Sequence, residues 1–259
     1  MKLRQLLLVI TGTVCLPAIS HAQLTLSAGL EYLQWEEDTT PAVTEDGFLF
    51  ALGVGYTQGR DSGFLVGYRG RLWTGVVDYE GSTLLTNQPV TSTTNYLGLT
   101  NELQGRWRRP LEGKKYRLDI LAGLGIDAWR RELSSVQRED YLVAYLRTGL
   151  EFDSASSNTW LAGLGVKYPF WIREDAHLTN IGFDSNPELS PGGKISAYAH
   201  LGYRMSRWWS IVGYADGYRF SKSDPVTVTE VRRGLGTVTV FQPASDMLFL
   251  GVKLERVLR

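Results

Sequence analysis

Between Gln23 and Arg259 apolar side chains alternate with polar or glycine residues in about ten segments, the period-two pattern of β-strands. The clearest runs from Lys115 to Leu133. Tyr116, Leu118, Ile120, Ala122, Leu124, Ile126 and Ala128 fall on one parity, and Arg117, Asp119, Gly123, Gly125, Asp127 and Arg131 on the other. The pattern predicts strands near 24–36, 46–58, 63–78, 95–108, 115–132, 141–153, 158–173, 193–205, 207–221 and 244–258. Tight connections at 59–62, 110–114, 154–157 and Ser206 alternate with longer ones at 37–45, 79–94, 133–140, 174–192 and 222–243. Short periplasmic turns and long outer loops belong to an all-β, antiparallel transmembrane barrel of about ten strands. Its oily face meets lipid and its charged face lines the lumen. Leu118, Ile120, Leu124, Leu142, Leu146, Leu150, Ile195 and Leu201 are expected outside, and Arg117, Asp119, Arg147, Glu151, Lys194 and His200 inside.

The chain begins like an exported protein. Lys2 and Arg4 precede an apolar Leu6–Leu16 run and a Ser20-His21-Ala22 cleavage pattern, giving a signal peptide at 1–22 and one barrel domain at 23–259. No stretch reaches the roughly 20 apolar residues of a spanning helix, so the membrane must be crossed by strands. Cys15, the only cysteine, lies in the segment to be removed. The charge changes little: 27 basic residues balance 27 acidic ones, which gives nucleic acid no broad attraction. Trp35, Trp73, Trp107, Trp129, Trp160, Trp171, Trp208 and Trp209 fall near strand ends, as interfacial girdles require. A lumen this narrow has to be filled. His200 with Lys194, Ser196, Tyr198 and Arg204 belongs to that filling, and Asp119, Asp127, Glu102, Glu151 and Glu31 are candidate partners for its cations.

Two acidic clusters mark the outer ends of the third and seventh strands: Asp78-Tyr79-Glu80 and Glu174-Asp175-Ala176-His177. An aspartate and a histidine two apart on extended backbone project to one side, so the carboxylate can orient the imidazole as a general base. Lys167, Arg173, Asp175 and His177 share the parity opposite Trp160, Ala162, Leu164 and Val166, which makes them lumen-facing. At these residues the chain resembles the omptin family of outer-membrane proteases. The flanking text is similar as well: Leu72-Trp73-Thr74, Asn95-Tyr96 through Asn101-Glu102-Leu103, Tyr116-Arg117-Leu118 through Leu121-Ala122-Gly123, and Val166-Lys167-Tyr168 through Phe170-Trp171. The resemblance implies a catalytic set of Asp78, Glu80, Asp175 and His177 facing each other across the mouth and activating a water, with no metal and no cofactor. The chain departs from it at Glu80, where the family has aspartate, and at Arg173, a substrate-facing cation where basic-specific omptins carry an acid. Arg69 and Arg71 also look inward, which turns Asp78 and Glu80 outward unless a bulge near Gly75 reverses them.

Three functions are compatible with this pattern: an omptin-like endopeptidase or an inactive relative, a non-enzymatic barrel acting as adhesin, binder or structural element, and a lipid-modifying enzyme. The last would be favoured by a His-x-Ser pair on a lipid-facing strand, which the sequence lacks. The implied partners are outer-membrane lipid, lipopolysaccharide included, with Arg130 and Arg138 among the basic residues near the outer aromatic belt that can meet lipid phosphates, and a peptide under the first reading.

Overall fold

The computed structural model describes residues 21–82, 88–111, 116–154, 156–232, 234 and 236–258. Positions 1–20, which hold most of the expected signal peptide, lie outside the described residues. Seven long antiparallel strands come first: β1 (His21–Glu37), β2 (Val43–Gly59), β3 (Gly63–Ser82), β4 (Pro89–Leu111), β5 (Tyr116–Glu132), β6 (Arg138–Ser154) and β7 (Thr159–Asp175). The outer connection after β7 contains a 3-10 turn (Leu178–Ile181) and two short strands, β8 (Glu188–Leu189) and β9 (Gly192–Lys194). Then come β10 (Ser196–Arg204), β11 (Trp209–Ser221), a hairpin of β12 (Val226–Glu230) and β13 (Gly236–Val240), and β14 (Ser245–Leu258). Each expected strand is present. The β12–β13 hairpin arises inside a segment read as loop, because its Val-Thr alternation is too short to stand apart from a connection.

β7 pairs with β10, β10 with β11, β11 with β14, and β14 with β1, so ten strands close a barrel. Closure leaves no edge in lipid. The outer wall is a continuous apolar band; Leu103, Leu124, Leu146 and Leu201 are 60%, 53%, 52% and 58% exposed. Ile120, Leu150 and Ile195 face out with them, while Asp119 and Arg147 are buried inside and Glu151 and His200 line the lumen.

Tryptophan placement departs from expectation. Trp107, Trp160, Trp171 and Trp209 are outward, but Trp35, Trp73 and Trp129 are 0%, 2% and 3% exposed and point into the barrel. They pack with Tyr96, Tyr141, Tyr145, Tyr218, Phe220 and Phe249 into a plug across the outer half of the lumen. Trp129 stacks on Tyr141 at 4.9 Å, and Trp73 meets Phe249 edge-on at 5.2 Å. Gly98 makes room for this plug, since a Cβ there would lie 2.0 Å from the Trp73 ring. The periplasmic half is filled by polar side chains. There Arg69 pairs with Glu102 at 2.9 Å, Arg71 with Glu31 at 2.9 Å, Arg108 with Asp119 at 2.7 Å, and Arg106 with Glu151. A cavity of about 280 Å³ remains against the small residues Thr25, Ser27, Gly53 and Gly55.

Two irregularities reverse side chains that parity assigned inward. Pro169 sits in mid-strand on β7 without an N–H, and the β6–β7 register shifts at Ala144/Tyr145 beside it. Phe170 and Trp171 consequently both face out, at 49% and 46% exposure, and beyond them Ile172 and Glu174 point in while Arg173 and Asp175 point out. A second slip lies at Ile195. Ala199 pairs with Ala215, but Lys194 pairs with Arg219, one residue out of phase, so Lys194 leaves the lumen for the outer wall.

These faces carry different costs. Leu124→Arg, at the middle of the lipid band, is expected to lower unfolding stability by about 2–4 kcal/mol. Trp35→Ala, in the plug, should cost about 3–5 kcal/mol through lost packing and a cavity. Urea unfolding in phospholipid vesicles measures both, and full tolerance of either would contradict the assigned face.

Candidate functional site

The four residues of the expected catalytic set do not share a cleft. The β2–β3 register runs without a shift from Gly59 opposite Leu65 to Thr44 opposite Glu80, so no bulge at Gly75 turns the strand over. Val77 and Tyr79 are buried inside, and Asp78 and Glu80 are exposed on the outer wall. Asp78 stands opposite Asp46, which accepts a 2.5 Å hydrogen bond from Tyr32. Across the barrel, the Pro169 bulge puts Arg173 and Asp175 outside as well. β4, β5 and β6 separate β3 from β7, and the two acidic groups project away from each other.

His177 does find carboxylates. It adopts a left-handed conformation (φ 47°) ahead of the 3-10 turn, and its backbone N–H donates to Asp175 Oδ1 at 3.0 Å. Its Nδ1 lies 3.8 Å from Asp175 Oδ1, while Nε2 is 2.8 Å from Asp140 Oδ2 and 3.0 Å from an Arg138 guanidinium nitrogen. The closer ring partner is therefore Asp140 on β6, which sequence spacing missed because it is distant in the chain. The position of Arg138 two residues before Asp140, on the same face of one strand end, was the available signal. Arg130 also binds Asp140, at 2.9 Å, and Arg173 pairs with Glu188 at 2.8 Å. Arg173 is thus neutralised at the outer surface and is not a free cation facing substrate.

The concentrated charge of the mouth lies inside, around Arg131. Its guanidinium, 2% exposed by side chain, contacts Glu37 at 3.0 Å, Glu45 at 2.9 Å and Glu139 at 2.7 Å, and lies over the Trp35 ring at 5.2 Å. Thr94 donates to Glu45 at 2.9 Å, Tyr96 also donates to Glu45, and Tyr141 donates to Glu139 at 3.3 Å. Glu174, buried beside them, accepts from the Gln242 amide nitrogen, 3.1 Å from each of its carboxyl oxygens, when that nitrogen is turned toward it. Arg130, Asp140, Arg173 and Asp46 occupy the outer wall at this level, so the cluster stands above the lipid band. Burial, then the nearby Glu139 and Glu37, pushes the Glu174 carboxyl well above the usual carboxylate range. Burial raises Glu139 too, against the pull of Arg131. Arg131 takes the inward parity read for its strand; Glu45 and Glu139 fall in the segments read as connections, 37–45 and 133–140, which the structure draws into β2 and β6, and Glu174 needed the bulge.

A lid covers this layer. Ala176, Leu178 and Phe183 from the β7–β10 connection pack against Val228 and Val240 of the β12–β13 hairpin. The hairpin's neck is closed by Ser223 N–H donating to Gln242 O at 3.0 Å and Gln242 N–H donating to Ser223 Oγ at 2.9 Å. Thr229 N–H donates to Asp184 at 3.0 Å, and this bond holds the Asp184 carboxyl below its ordinary range. Among the described residues no group of three His, Cys, Asp or Glu side chains is arranged to hold a metal ion.

Removing Arg131 would leave three carboxylates facing one another in a dry centre. Arg131→Met is therefore expected to cost about 3–5 kcal/mol at neutral pH and less at acid pH, where the carboxyls protonate. Glu174 has the opposite sign: its folded value is raised, so its contribution is complete at acid pH and is lost as pH rises through that value. Glu174→Gln should gain stability relative to the native chain as pH rises. Unfolding midpoints at a series of pH values read both effects, and a pH-independent difference for Glu174→Gln would contradict the upward shift of the buried carboxyl.

No protein-family model matches the chain, and no curated protein sequence matches it. Solved structures do. The outer membrane protease OmpT from Escherichia coli aligns with a TM-score of 0.50 at 9% identity, over 92% of this chain and 96% of that one. The transport unit of the autotransporter AIDA-I from Escherichia coli aligns at 0.39 and 11% identity, over 97% and 94%. The translocator domain of the autotransporter NalP from Neisseria meningitidis aligns at 0.37 and 10% identity, over 89% and 87%. The likeness to OmpT carries the fold, that of a Gram-negative outer-membrane β-barrel, and goes no further.

Proposed function

We propose that this chain is a sealed, non-catalytic outer-membrane barrel that acts through its extracellular surface in a binding or structural role. The observation that carries this reading is the divergence of Asp78 and Glu80 from Asp175 and His177 on opposite outer walls. A water-activating set must converge on one reacting atom to within a few tenths of an ångström, and these groups face lipid headgroups and solvent on different sides. The filled interior agrees with it: among the described residues an aromatic layer, the Arg131 cluster and the apolar lid lie in series above the polar cavity.

A second reading keeps the peptidase. The 2.8 Å contact of His177 with Asp140 is a base-and-orienter pair, and a substrate approaching along the outer wall would meet it.

One assay separates the two. Protein refolded into vesicles is incubated with a broad peptide library, alongside His177→Ala. The sealed-barrel reading expects no cleavage above background from either, and no single-channel conductance in planar bilayers. Cleavage that His177→Ala abolishes would establish the second reading, and steady conductance would overturn the closed lumen.

A further inference from the structure

Among the described residues the β12–β13 hairpin has one covered edge and one open edge. On the β12 side, Phe183 bridges Glu230, Asp184 N–H donates to Thr229 O at 2.9 Å, and Val231 N–H donates to Gly182 O at 2.9 Å. On the far side of β13, among the described residues, no backbone group is paired. That strand reads Gly236-Thr237-Val238-Thr239-Val240. It contains no charge, proline or bulge, the devices that normally keep an open edge from pairing. Its two faces are finished: Val238 and Val240 pack into the lid, and Thr237 and Thr239 are exposed.

From this edge we infer that β13 pairs antiparallel with β13 of a second copy of the chain, joining two hairpins into one four-stranded sheet. The occupant follows from the sequence of the edge itself. Thr237-Val238-Thr239 reads the same in both directions, so a two-fold centred on Val238 sets Thr237 opposite Thr239 of the second copy and Val238 opposite Val238. The hairpin already uses this ladder internally, with Thr227 opposite Thr239, Val228 opposite Val238 and Thr229 opposite Thr237. The new pairing would continue both faces without a break, threonine against threonine and valine against valine. A neutral strand also brings no like-charge penalty on meeting itself. An edge of five residues is short, and confinement of both barrels to one membrane supplies the effective concentration that dilute solution would not. The inference holds whether or not the barrel cleaves peptides.

The test is energy transfer between refolded full-length copies that carry Cys15→Ser and are labelled at Ser62→Cys, in the exposed turn at the opposite end of the barrel, in phosphatidylcholine vesicles at low protein-to-lipid ratio. Native protein should show transfer above that of randomly placed barrels, competed away by unlabelled native protein. Two variants, T237K/T239K and T237E/T239E, should each fall to the random level alone and recover when mixed. T237K/T239E should keep transfer by itself, because the register sets the introduced lysine of each copy against the introduced glutamate of the other. Within each chain the altered positions are exposed and stand opposite Thr229 and Thr227, and a folding defect would not produce recovery on mixing. Random transfer for the native protein, undiminished transfer for T237K/T239K, or loss in T237K/T239E would each overturn the proposal.

Discussion

Every backbone N–H and C=O that enters lipid must be bonded within the protein, and here that condition is met by the seam between the first and last strands. β1 and β14 pair from Leu24 opposite Leu258 to Glu37 opposite Ser245 without a register shift. Closure at this seam fixes the number of strands, hence the lumen's width, hence the need to fill it. Ten strands leave a bore too narrow for an open channel and too wide to stay empty. The distribution of side chains inside the barrel answers to that single geometric fact.

The filling is stratified. Near the periplasm, arginines pair with carboxylates on neighbouring and next-but-one strands. Farther out, tryptophan and tyrosine rings interdigitate, and above them Arg131 gathers three carboxylates under an apolar lid. An ion pair is held most securely where low dielectric strengthens it and hydrogen bonds complete it, and Glu45 receives both from Arg131, Thr94 and Tyr96. The aromatic layer shields this cluster from water entering through the periplasmic cavity. Stability and closure of the mouth therefore come from the same contacts.

The outer rim is organised differently. Its charged residues sit on the outward faces of strand ends, where water screens them, and they pair with near neighbours: Arg130 with Asp140, Arg173 with Glu188. His177 joins this surface network. A rim built this way presents polar groups around the circumference of the barrel rather than across its mouth, and groups on opposite walls cannot act on one substrate atom.

Alternation along the chain was enough to define the class and most of the wall. The period-two pattern in Lys115–Leu133 and its counterparts, with short and long connections in turn, is a local property that survives any detail of packing, and it located all ten barrel strands. The lumenal partners Glu31, Glu102, Asp119 and Glu151 were legible for the same reason, since parity decides the face and the face decides the neighbours. Register, by contrast, emerged only in the assembled barrel. A proline in mid-strand at Pro169 and a one-residue slip at Ile195 each inverted parity, moving Arg173, Asp175 and Lys194 to the outer wall and Glu174 to the inside. Likewise a tryptophan near a strand end reads as a girdle residue, yet Trp35, Trp73 and Trp129 turn inward, where Gly98 and the facing strands leave space for rings. Alternation is written in each strand alone. Which way a strand end turns depends on hydrogen bonds to its neighbours, and those form only when the barrel closes.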